Sequence, residues 1–266
     1  MSCPSRPQYL MERMSVRDMR EALSRTQTII LPIGVVEQHG YHLPLTTDTI
    51  TACELAARAA EKAGCVVAPP VNYNFSGGTL PGTINVSPQV FSLLIQDICR
   101  SLAAQGFRNI ILLSGHGGSE SVQALRDAAD MLLRLSDGLD ELNIAVPCFW
   151  EISPTAVESF KEKDYHAGYM ETSMMLYWRP ELVGDEYITD KADILDMMRR
   201  DPDSYQLKRK NIDDNAVRPH TTQHPDIEVG VMGDPGRASR EIGERFARET
   251  VEYLVGLVEK LESGKG

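Results

Sequence analysis

Residues 109–113, NIILL, form a short apolar run that leads straight into SGHGGS. A run this short and this apolar reads as a strand covered on both faces, as in a parallel sheet. Residues 28–33, TIILPI, read the same way. Parallel neighbours need a crossover between them, and helical patterns supply it. Alanine-rich residues 49–63 end at Gly64, a good helix with a glycine stop. Another helix starts at Ser87-Pro88, carries Phe91, Leu94, Ile95, Ile98 and Leu102 at helical spacing, and stops at Gly106.

Further helices are predicted at 16–24, 119–135, 166–178, 192–200 and 238–261, and further strands at 65–68 and 144–147. Strands alternating with helices indicate a layered α/β fold with a mostly parallel central sheet, and 266 residues suit one large domain or two small ones. Residues 184–235 stand apart, being polar and irregular outside 192–200. A segment of that kind is a lid, a mobile loop or an arm at an oligomer interface.

A net charge of −11 argues against nucleic acid or an anionic membrane as the main partner. No apolar run approaches the ~18 residues of a bilayer span. The first residues, MSCPSRPQYLMERMS, lack the apolar core of a secretory signal. Cysteines 3, 53, 65, 99 and 148 are dispersed, odd in number and without a CxxC pair. They read as reduced thiols of a cytoplasmic protein, not as a disulfide framework or a thiolate zinc site.

Sites in parallel folds gather at the carboxyl ends of the strands. Two histidine-bearing loops leave such ends here. The first, EQHGYHLPLTTD after strand 28–33, carries Glu37, His39 and Asp48. Carboxylates and imidazole together suit a divalent metal, and residues two apart in extended chain face one side. Gly34 and Gly40 would let the backbone turn on either side of them. Asp48 also reads as a helix N-cap. The second loop, SGHGGSE after strand 109–113, places His116 between glycines, which allow close backbone approach to a ligand. HGGS is similar to a lipase oxyanion loop, but the required G-x-S-x-G elbow is missing. A third stretch, HAGYMETS, brings His166 and Glu171, which share a site only if His166 precedes the helix. Glu171 as a first-turn carboxylate and His166 as a capping or buried histidine are the plainer alternatives. His42 reads as a packing or supporting histidine, and His220 and His224 as solvated. Met174, Met175 and Trp178 read as core, and Lys208–Lys210 as a solvated face.

The ordered motifs LPIGVVEQHG, LPGT, SGHGGS, HAGYMETS and GVMGDP together resemble the creatininase (creatinine amidohydrolase) family. The resemblance implies a single three-layer α/β/α domain over 1–266, assembled into a homo-oligomer, commonly a hexamer. It implies two divalent metal ions per subunit, zinc, manganese or iron, used to hydrolyse C–N bonds of cyclic amides, formamides or peptides. By position, Glu37 and His116 would bind one metal and His39 the other, with Asp48 bridging. His166 matches the histidine that handles protons. Creatininase has a glutamate ligand where this chain has Gly118, and Glu171 is the candidate replacement. Tyr169 stands where many relatives carry glutamate, and FSGG at 75–78 departs from deformylase-like members. Ser114, Gly117, Gly118 and Tyr169 are candidate substrate contacts. The expected reaction is attack on a small cyclic amide by metal-activated hydroxide, with His166 protonating the leaving nitrogen. Alternatives are a cyclic ketone or polyol opened at a C–C bond, a formamide or peptide, or a metal-binding scaffold without turnover.

Overall fold

The computed structural model describes residues 8–264. In chain order its strands and α-helices are α1 (Val16–Leu23), β1 (Thr28–Ile33), α2 (Thr47–Ala63), β2 (Val66–Val67), α3 (Pro88–Ala104), β3 (Asn109–Ser114), α4 (Ser119–Leu135), β4 (Asn143–Ala145), α5 (Phe149–Ile152), α6 (Pro154–Lys161), α7 (Tyr169–Trp178), α8 (Ala192–Arg200), β5 (Gln206–Arg209), β6 (His220–Gln223) and α9 (Arg240–Ser263). The central sheet runs β2-β1-β3-β4 and all its pairs are parallel. β1 and β3 are buried along their whole length, as two apolar-walled strands must be.

Strand alternation assigns the layers. Ile30, Ile111 and Leu113 pack on α2, α7 and α9 through Leu55, Met174 and Phe246. Ile29, Leu31, Ile110 and Leu112 point the other way, onto Phe91 and Ile95 of α3 and Leu125 and Leu132 of α4. Helices therefore cover both faces of a parallel sheet, the three-layer arrangement expected. Gly64 closes α2 in the left-handed conformation.

Several expectations need correction. Residues 184–235 are not irregular outside α8, because β5 and β6 form an antiparallel hairpin with Gln206 opposite Gln223 and Arg209 opposite His220. The hairpin is mostly exposed, so its sequence has no apolar alternation to read. The helix predicted from 166 begins at Tyr169, leaving His166 in the preceding loop. Asp48 does not cap α2: Thr46 holds that position, and Asp48 lies inside the first turn. β2 and β4 are shorter than predicted, and α5 and α6 were not foreseen. Met174, Met175 and Trp178 are buried, as expected. Cys53, Cys65, Cys99 and Cys148 are free, and burial raises their thiols to between about 11 and about 12, which keeps them unreactive. Cys3 and the first residues of the signal-peptide reading lie outside the described residues. Among the described residues no helix is long and apolar enough to cross a membrane.

α9 crosses α7 at Gly243, where a β-carbon would collide with the Ser173 carbonyl. Gly243→Ala should therefore force the two helices apart and cost about 2–3 kcal/mol in denaturant unfolding. Gly256, on the same helix, faces open space. Gly256→Ala should instead gain up to about 1 kcal/mol from helix propensity, which separates crowding from any general effect of alanine.

Candidate metal centre

β1 and β3 end in register, Ile33 beside Ser114, so the loops that follow them start from adjacent points on one edge of the sheet. The first turn of α2 sits over the same edge and brings Asp48 down between the loops. His39, Asp48, Glu37 and His116 are all buried there. Asp48 divides its oxygens: Oδ1 lies 3.1 Å from His39 Nε2, and Oδ2 lies 3.1 Å from His116 Nδ1. Glu37 Oε1 lies 2.9 Å from His116 Nδ1, and Glu171 Oε2 lies 3.6 Å from His39 Nε2. Two donor sets result, Glu37–Asp48–His116 and His39–Asp48–Glu171, with the ligand atoms of each within 4.8 Å of one another. Glu37, His39 and His166 form a third, overlapping set.

The polar accounting fits a cation. Glu37 Oε1 and Asp48 Oδ2 are buried acceptors that both face His116 Nδ1 yet make no well-directed hydrogen bond, and such atoms are costly to leave unsatisfied. His39 turns Nδ1 to the Glu37 carbonyl at 3.2 Å. Donation there fixes the tautomer and leaves the Nε2 lone pair facing Asp48 and Glu171, the arrangement typical of a ligating imidazole. Without a cation, protons must carry the compensating charge. Burial opposes a charged His39, yet the Asp48 carboxylate beside it raises it to about 10. His116 is likewise held well above its ordinary value, burial being outweighed by Glu37 and Asp48. Glu37 is held well below the carboxylate range because the charge of His116 and its neighbours overcomes burial. Burial raises Glu171 to about 7, with the His39 charge opposing and the Asp48 charge adding. Divalent ions would replace these protons, since ligands bind metal in their deprotonated forms.

His166 stands beside this cluster, its ring 4.4 Å from that of His39. Its Nε2 lies 2.7 Å from the Gln38 carbonyl, to which it donates. Nδ1 is left facing Glu37 and Glu171 at 3.9 and 4.0 Å. Burial, and then the His39 charge, hold this imidazole below its ordinary value. The turn that presents it is unusual. Ala167 has a positive φ of 51°, and its N–H donates to Glu171 Oε2 at 2.6 Å. The Met232 N–H donates to the His166 carbonyl at 2.7 Å, so the conformation is over-determined by its surroundings.

Gly117 and Gly118 line the cavity beside the cluster. A side chain at 118 would collide with the His116 imidazole, so none fits there unless that ring moves. Two residues expected near substrate sit elsewhere. Ser114 spends its hydroxyl on the His116 carbonyl at 2.8 Å, shaping the loop from behind. Tyr169 donates to Glu162 at 3.0 Å, with the Arg237 guanidinium over its ring at 4.5 Å. His42 is a packing histidine 2.9 Å from Thr172 Oγ1, and burial, with the His39 charge, lowers it to about 4. His220 is exposed on β6 and His224 half-exposed beyond it.

Three residues that matter were not singled out from the sequence. Gln38 carries the His166 contact. Asp164 accepts from the N–H groups of Tyr169, Met170 and Asp234, each at 3.0 Å, and so fixes the start of α7. Asp190 accepts from the N–H groups of Glu228, Val229 and Gly230 at 2.7, 3.0 and 2.6 Å, which fixes this turn where Gln38 Nε2 donates to the Gly230 carbonyl at 3.3 Å. Position between Glu37 and His39 could have flagged Gln38. Nothing local marks the two aspartates. The long segment itself supplies Pro202, Asp203, Tyr205, Gln223 and Ile227 to the cavity wall.

The chain is similar to known proteins over most of its length. The family model Creatininase, described as creatinine amidohydrolase, matches residues 12–258. The mycofactocin precursor peptide peptidase of Mycolicibacterium smegmatis is 34% identical over 242 residues, covering 87% of this chain and 84% of that protein. The 3-dehydro-scyllo-inosose hydrolase of Thermotoga maritima is 28% identical over 269 residues, covering 94% of this chain and 81% of that one. A solved structure described as "Creatininase Mn" shares the fold with a TM-score of 0.75 at 23% identity, covering 96% and 99% of the two chains. The chain belongs to the creatininase family, and with it to the hydrolases that act on C–N bonds.

Proposed function

We propose that this chain is a binuclear-metal amidohydrolase that opens a small cyclic amide. The observation that carries the reading is Asp48, whose two oxygens each face a different imidazole while Glu37 and Glu171 flank them. Glu37, His116 and Asp48 would hold one divalent ion, and His39, Glu171 and Asp48 the other, with zinc, manganese or iron as the metal class. When bound, such a pair supplies a water of lowered pKa and a Lewis acid for the carbonyl oxygen. The protein does the rest. His166, fixed through Nε2 on the Gln38 carbonyl, presents Nδ1 to the reacting space and is placed to take a proton and return it to the departing nitrogen. Ala167 and Asp164 keep that ring in place, and residues 184–235 act as a wall that limits water at the site. The reading includes one domain over the whole chain, a cytoplasmic location and a homo-oligomer.

A second reading, release of a residue from a short peptide on the same centre, is favoured by the 34% identical peptidase. Lactams, formamides, short peptides and cyclic ketones offered in parallel would separate it from the first.

Elemental analysis of carefully purified protein should find two divalent ions per chain. Asp48→Ala should lose both ions, and His116→Ala should keep at most one. Chelated protein or Asp48→Ala with full turnover would defeat the scheme. His166→Ala should behave differently: the metals remain while kcat falls about 10²–10⁴-fold, the usual worth of a positioned acid–base.

A further inference from the structure

The cavity that opens from the metal centre has a volume of about 340 Å³. That is the size range of pockets that enclose drug-sized ligands, well above what a bare lactam ring fills. Its outer wall is apolar. Leu80 from the loop after β2, and Tyr205, Ile227 and Met232 from residues 184–235, pack into one hydrophobic cluster that lines it. Phe160 and Tyr165 line it as well, edge to face with ring centres 5.5 Å apart. Among the described residues, the charged side chains lining it outside the metal-centre residues are Glu120, Asp164 and Asp203, with no lysine or arginine. The Asp164 carboxylate is engaged by three backbone N–H groups, so Glu120 and Asp203 set the charge at the mouth.

We infer that the substrate is an amide carrying an uncharged apolar substituent of about aryl size, with no carboxylate or phosphate at that end. This rests on the metal-hydrolase reading and names its substrate class. Apolar burial against this wall favours such a group, while an anion there would meet two carboxylates and no counter-charge.

Hydroxamates test the wall separately from the centre, because the chelating group is constant and only the appendage changes. Titration calorimetry of metal-loaded protein at low salt would compare acetohydroxamate, benzohydroxamate and para-carboxybenzohydroxamate. Benzohydroxamate should bind at least about tenfold tighter than acetohydroxamate, from burial of the ring. The carboxylate should weaken binding about threefold or more, and Glu120→Gln should reduce that penalty. Leu80→Ala should shrink the ratio between benzohydroxamate and acetohydroxamate by about threefold. Equal affinity of the methyl and phenyl compounds, an unchanged ratio in Leu80→Ala, or tighter binding of the carboxylate would overturn the inference and leave the metal centre standing. Binding of none of the three would sink the metal-centre reading itself, and the substrate class with it.

Discussion

Glu37, Asp48 and Glu171 converge with His39 and His116 in a pocket from which water is largely excluded, and the charge they bring has to be balanced there. Isolated ions in such a place are costly to desolvate, so each carboxylate needs a proton, an imidazolium or a metal beside it. Asp48 is the pivot because it faces both imidazoles at once. Its position depends on α2 starting directly above the junction of β1 and β3. That junction in turn depends on two strands of matched register. The chemistry of the site is thus tied to the packing of the sheet through one helical turn.

The same dependence explains why His166 is so heavily secured. Its ring is set by a backbone carbonyl from the first loop, by a left-handed Ala167 and by Met232 from the far end of the long segment. None of these contacts is strong alone. Together they hold a side chain whose own helix begins only at Tyr169. Asp164 and Asp190 do equivalent work on backbone N–H groups, converting loops that lack regular hydrogen bonding into fixed walls.

In the SGHGGS loop the His116 imidazole occupies the space that any side chain at 118 would need. On the His39 side, α7 supplies the Glu171 carboxylate, which also holds the Ala167 turn. One residue therefore joins the charge balance of the centre to the backbone that positions His166. Changing it would disturb both at once, which makes it a poor site for isolating either effect.

The sequence by itself determined the parallel sheet and its flanking helices, because uniform apolar runs and helical spacing are local consequences of what each segment must bury. It also marked the histidine loops as neighbours, since strands read as parallel put their carboxyl ends on one edge. Tertiary structure alone decided the rest. Ser114 and Tyr169 turn away from the cavity because nearer partners claim their hydroxyls. Tyr205 and Ile227 line the cavity from either side of a hairpin whose exposed strands carry no periodic signal, Met232 lines it from farther along the chain, and Asp164 and Asp190 act on backbone distant in sequence. Local pattern records what a segment must hide from water; which distant groups it meets depends on the packing of the whole chain.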